Sequence, residues 1–161
     1  MFKILSLSLL LGSLPLMLMA AGELTTRKSL NLAAVKTMVA AAEAEAKTRK
    51  VDVTICIVDE NATVIFLQKG DRAGINTLQY AQKKARHSAL YGSPSKNAAD
   101  QLKAGDISVL TRPEAFPNQG GLPIKIDGQT IGGISASGAA SEIDEAIAQA
   151  GIDALLAWLK P

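Results

Sequence analysis

Two stretches of this chain are β-branched and apolar on both sides of a short polar break. They constrain the fold more than anything else in it. The first reads VDVTICIVD-ENA-TVIFLQK and the second LPIKI-DG-QTIGGISAS. Such runs, separated by turn residues, predict β-hairpins, and Asp127-Gly128 is a strong two-residue hairpin turn. The first hairpin is expected as strand Val51 to Val58, a turn through Asp59, Glu60 and Asn61, and strand Ala62 to Gln68. Strands that arrive in adjacent pairs do not build a doubly wound parallel sheet, which needs strands and helices to alternate.

Around the hairpins the period changes. In TTRKSLNLAAVKTMVAAAEAEAKTRK, Leu32, Val35, Val39, Ala42 and Ala46 recur at three- and four-residue spacing, which predicts a helix with one apolar stripe, capped by Thr25 or Thr26. Asn76 to Tyr91 predicts a second helix. A short one begins near Ser93-Pro94 and ends near Gly105, and SEIDEAIAQAGIDALLAWL predicts a terminal helix with Ser141 and Asp144 approximating a capping box. The segment DISVLTRPEAFPNQGG reads as a loop with one short strand, Ile107 to Leu110. The expected class is α+β: a single antiparallel sheet of about five strands flanked by helices. Gly132 and Gly133 predict close packing against another backbone, or a bulge.

Aromatic residues make up only 4% of the 161 residues, so the core is expected to be built from Ala, Ile, Leu and Val. The length suits one domain. The net charge is +2 and no basic stripe interleaved with aromatics occurs, which argues against nucleic acid as a partner. Residues 1–22 differ from the rest: Lys3, a Leu-rich run with Pro15, then Ala20, Ala21 and Gly22. That is the layout of a signal peptide, which predicts a domain at 23–161 and a periplasmic or secreted location. An uncleaved anchor is the rival reading. The lone Cys56 lies in an alternating strand and reads as a buried small hydrophobe.

One helix concentrates the chemistry. NTLQYAQKKARHSALYG holds the only histidine and both tyrosines of the chain. At helical spacing Leu78, Ala81, Ala85 and Ala89 share a small apolar side suited to lying on a sheet. Tyr80, Lys84, His87 and Tyr91 share the other side, expected to be left uncovered. A merely solvated face would account for them. A tetrapyrrole site would too: neutral imidazole and tyrosinate both ligate haem iron. In that reading His87 is the metal ligand, Tyr80 and Tyr91 are packing groups or alternate ligands, and Lys83 or Arg86 pairs with the carboxylates.

Two further stretches invite a ligand. SASGAASE joins a strand to a helix start, where Ser135, Ser137 and Gly138 could hold a phosphate or carboxylate. An ordinary tight turn with a Ser cap explains the same residues. Gly120 and Gly121 suit either a backbone approach to a ligand or a strand entry at positive φ. No Gly-x-Ser-x-Gly elbow and no dinucleotide glycine motif occur.

The stretch GGLPIKIDGQTIGGISASGAASEIDEAIAQAG, residues 120–151, resembles the signature of the GlcG/HbpS family, also described as the haem-degrading or PduO C-terminal-like domain. VDVTICIVDENATVIFLQKGDRAG and AQKKARHSAL extend the resemblance upstream, so that it spans about Ser29 to Leu156. The chain departs from the family pattern at Lys69 to Ala73, at His87, where Thr is common, and at Ile143 between the acidic Glu142 and Asp144. The resemblance implies a profilin-like or PAS-like fold, assembly into homo-oligomers, and binding of haem, with a corrinoid as the alternative. The functional expectation is an exported haem-binding protein acting in uptake, storage, degradation or redox sensing. The alternative is a cofactor-free accessory module for a membrane sensor or transporter, with Trp158 as an interface anchor. A third reading is an enzyme acting on a small anion at Ser135 to Ser141, for which the residues supply no base.

Overall fold

A computed structural model describes residues 24–160; the leader expected at 1–22 lies outside the described residues. Helix α1 (Leu32–Thr48) is followed by strands β1 (Thr54–Asp59) and β2 (Val64–Lys69) and by helices α2 (Thr77–Tyr91) and α3 (Ser95–Lys103). A short 3-10 turn (Ile107–Thr111) leads into β3 (Gly121–Ile126), β4 (Gln129–Ser137) and helix α4 (Ser141–Trp158). The sheet order is β2-β1-β4-β3, with every neighbouring pair antiparallel.

Both expected hairpins form. Asp127 and Gly128 both take positive φ, the geometry that a tight two-residue turn requires. The fifth strand does not form, and among the described residues the sheet has four. Ile107 to Leu110 belongs to the 3-10 turn instead. Asp106 accepts a hydrogen bond from the Ser108 N–H at 3.0 Å and so caps that turn, and only Val109 within it is buried. One inward residue gives a strand no face to bury. Helix α1 starts later than expected: Asn31, not a threonine, caps it by accepting from the Ala34 N–H at 2.8 Å, and Leu32 is left exposed. Ser141 does not cap α4 either; Ala140 occupies the cap position.

Strand alternation sorts the sheet into two faces. Ile57, Ile124 and Ile134 point to one face, where Val35, Met38 and Val39 of α1 and Ala148 and Leu155 of α4 cover them. Cys56 and Val58 point to the other, against Ala81, Ala85 and Ala89 of α2. Burial pushes the Cys56 thiol up to about 12, so it stays protonated.

Helix α2 lies unusually close to the sheet, and glycine is the reason. A Cβ built at Gly133 would collide with the backbone carbonyl of Ala85, and one at Gly121 with the carbonyl of Lys84. The close approach of two backbones expected at Gly132 and Gly133 is therefore realised at Gly133 of β4, and Gly121 of β3 adds a second. A bulge also falls where Ile124 pairs with Gly132 but Lys125 pairs with Thr130. Because backbone faces backbone, no side chain can relax to admit a methyl group. Gly133→Ala is expected to destabilise the fold by about 3 kcal/mol, the upper range for overpacking. Urea denaturation of the purified variant checks this.

Candidate functional site

The outer side of α2 does not stand open. Residues 112–118 fold across it and are held at several points. The Phe116 N–H donates to His87 Nδ1 at 3.1 Å. The Tyr91 hydroxyl donates to the Pro113 carbonyl. Arg86 donates to Glu114 at 3.1 Å and to the Ala62 carbonyl at 3.0 Å. The Phe116 ring meets Tyr80 edge-on at 5.3 Å, and Lys83 Nζ stands 5.5 Å from its centroid.

The expectation of an uncovered face carrying Tyr80, Lys84, His87 and Tyr91 is thus corrected. Tyr80 and Tyr91 are each 38% exposed, but His87 is 4% exposed and Lys84 only 2%. Helical spacing shows which residues share a side; it does not show that a loop from elsewhere will cover His87, nor that Lys84, at the edge of that side, will turn inward to Asp144. The imidazole does keep company with a phenol, its ring 4.8 Å from that of Tyr91. Burial, and then the neighbouring Arg112 charge, hold its pKa below the ordinary 6.5. Since Nδ1 accepts a hydrogen bond, the proton of the neutral ring sits on Nε2.

This donor set suits a tetrapyrrole in kind: a neutral imidazole, two phenols and two cations along one helix, with the Phe116 ring of the covering segment beside them. Its arrangement adds a condition. One imidazole nitrogen is taken by the Phe116 N–H and the other carries the proton. Iron could reach His87 only after the 112–118 segment releases it. Among the described residues no group of three or more His, Cys, Asp and Glu side chains is placed to hold a metal ion.

The inner side of the same helix carries a feature the spacing argument missed. Lys84 Nζ donates to Asp144 Oδ2 at 2.9 Å and to the Ala136 carbonyl at 3.2 Å. Both side chains are almost fully buried. The other carboxylate oxygen, Oδ1, accepts from the Ala139 N–H at 3.0 Å, tying the pair to the start of α4. Gly120 makes room: at φ 119° it lies beside the pair, and a Cβ there would come within 2.9 Å of Lys84 Nζ. The sequence did hold a signal. Lys84 stands three residues after Ala81 and four before Ser88, both buried, so it shares their side of the helix.

Ser137, Gly138 and Ala139 line a cavity of ≈ 300 Å³ in front of the pair, together with Asn76, Tyr80 and Asn118. Of the residues proposed for an anion, Ser135 is instead committed to the fold: its hydroxyl donates to the Ala81 carbonyl at 2.6 Å. Gly120 and Gly121 serve a positive-φ strand entry and close packing.

A four-stranded antiparallel sheet between two helical layers, with a polar pocket where α2, β4 and α4 meet, defines an α+β domain. Residues 30–153 match the family described as Haem degrading protein HbpS-like, and the chain belongs to that family. Protein GlcG of Escherichia coli K12 is 28% identical over 100 residues, covering 62% of this chain and 75% of that protein. The crystal structure of a double mutant of Streptomyces reticuli HbpS superposes with a TM-score of 0.76 at 29% identity, over 88% of this chain and 94% of that one. The crystal structure of a PduOC–haem complex gives a TM-score of 0.73 at 25% identity, over 79% and 95%.

Two predictions follow from these contacts. Removing one partner of a buried ion pair leaves an uncompensated charge, so Lys84→Met or Asp144→Leu alone is expected to cost about 3–5 kcal/mol. The double variant should recover much of that loss, since no charge then remains buried; a denaturation-based double-mutant cycle measures it. For His87 the sign is set by its lowered pKa. Below 6.5 the unfolded chain binds a proton that the folded chain refuses, so stability falls as pH drops through 6.5 toward the lower folded value. Melting temperatures at stepped pH should show this fall, and His87→Phe should remove its share of it.

Proposed function

We propose that this chain binds haem at the outer side of α2, as an exported protein acting outside the cytoplasm. Family membership carries the reading. The haem present in the related PduOC complex supports it, and so does the cluster of ring-packing and cationic groups around His87. Tyr80 and Tyr91 would pack on the macrocycle, Lys83 and Arg86 would meet its carboxylates, and His87 would ligate the iron once residues 112–118 swing aside. Haem supplies the redox and ligand chemistry; the protein supplies a neutral imidazole and a covering segment. Uptake, storage, degradation and redox sensing are all compatible roles, and a corrinoid is the alternative ligand.

A second reading is favoured by one observation. Leu156, Trp158 and Leu159 are exposed at the end of α4, beside a groove of ≈ 430 Å³ that takes in Ile126, Ile131 and Leu155, with the Lys28–Asp127 ion pair also in its lining. That surface suits a homo-oligomer, or an accessory module for a membrane sensor or transporter, with Trp158 as its anchor.

Titration with hemin tests the first reading. A Soret band that saturates is the expected result, with His87→Ala shifting the band and weakening binding by about tenfold or more, the scale at which even outer partners of a metal ligand act. An unchanged band and affinity in that variant would remove His87 as ligand. No band with the unaltered protein, together with a stable oligomer in light scattering, would favour the accessory module. Cobalamin run in parallel reports on the corrinoid.

A further inference from the structure

We infer that the cavity between α2, the end of β4 and the start of α4 is a second ligand site, which takes the carboxylate of a small organic acid. It stands apart from the imidazole and does not rest on haem binding. Four observations converge on it.

Lys84 lines this cavity although it is only 2% exposed. An ammonium carries three donor protons, and two are used, on Asp144 and on the Ala136 carbonyl. The third remains for a ligand. Ser137 is 5% exposed and also lines the cavity, yet among the described residues its hydroxyl has no hydrogen-bond partner. That hydroxyl is free to bond a guest in the cavity, as donor or acceptor.

The N-terminus of α4 opens onto the same space through Ser141. The first N–H groups of a helix have no carbonyl to bond within it, and the helix dipole adds positive potential there. Finally, Asp144 is neutralised by Lys84 and has its Oδ1 engaged by the Ala139 N–H, so the pair presents no net negative charge to a guest. Apart from the Asp144 carboxylate, which Lys84 neutralises, what faces the cavity is mainly donors: ammonium, hydroxyls and backbone N–H groups. Donors seek an acceptor-rich anion, and a carboxylate accepts through two oxygens. The amides of Asn76 and Asn118 and the Tyr80 phenol complete a polar wall, which suits a short, polar acid. The ≈ 300 Å³ of space leaves room for a few carbon atoms beyond the carboxylate.

The carboxylate could come from a free small acid or from the propionate of a tetrapyrrole, since Tyr80 belongs to both this wall and the outer side of α2. The test is a titration of ¹⁵N-labelled protein with sodium pyruvate, with sodium chloride as the ionic-strength control. The expected result is a saturable shift of the amide signals of residues 137–142 that chloride does not produce. Ser137→Val should weaken pyruvate binding by about tenfold, the scale of one hydrogen bond to a charged group, with the remaining spectrum unchanged. Displacement of pyruvate by hemin, but not by hemin dimethyl ester, would assign the carboxylate to a propionate; no displacement would assign it to a separate acid. Absence of a saturable shift, or equal binding by Ser137→Val, would overturn the site. The Soret titration of the same sample is read separately, so failure here does not decide haem binding, nor the reverse.

Discussion

The contact on which the rest of this molecule depends is bare backbone against bare backbone. Helix α2 rests on β3 and β4 at Gly121 and Gly133, where the carbonyls of Lys84 and Ala85 occupy the space a Cβ would need. That proximity sets everything on the helix. It brings Lys84 within reach of Asp144 and of the Ala136 carbonyl, and it lets the Ser135 hydroxyl bond the Ala81 carbonyl. With a larger residue at either glycine, the helix would ride outward and the ammonium would lose its partners.

A buried ion pair is a poor way to stabilise a fold, because desolvating two charges offsets most of their attraction. Its geometry here is nonetheless well satisfied. Lys84 has two acceptors and Asp144 has a donor for each oxygen, while Gly120 is held at positive φ beside them. The pair fastens α2 to the start of α4 across β4, joining the two helical layers through the sheet. It also places a charged group at the wall of a cavity, an arrangement an apolar pair of the same volume could not provide. The outer side of the helix is governed differently. There the 112–118 segment is held by exposed or half-buried contacts around one neutral imidazole. Such contacts are individually weak.

Much of the architecture was legible in the residues. The two hairpins, the Asp127-Gly128 turn, helix α2 to within a residue and the apolar side of α2 all rest on local periodicity and turn chemistry, which act over a few neighbours. Cys56 in a buried strand follows from the same alternation. The resemblance carried by residues 120–151 pointed to the family that the match over residues 30–153 shows. The strand expected at Ile107 to Leu110 failed because a side-chain cap at Asp106 competes with sheet pairing, and β-branched composition does not report that competition.

By itself the sequence determined that Tyr80, Lys84, His87 and Tyr91 would ride on one helix, and that the small apolar side of that helix could lie close against the sheet. Only the tertiary structure decided which of those side chains meet solvent. His87 is covered by Phe116, twenty-nine positions along the chain, and Lys84 is paired with Asp144, sixty positions along. Helical phase is a property of neighbouring residues; burial and charge pairing depend on which distant segments the fold brings against them. The cavity before Lys84 exists for the same reason, since its walls come from α2, from the end of β4, from the turn after it and from the loop before β3.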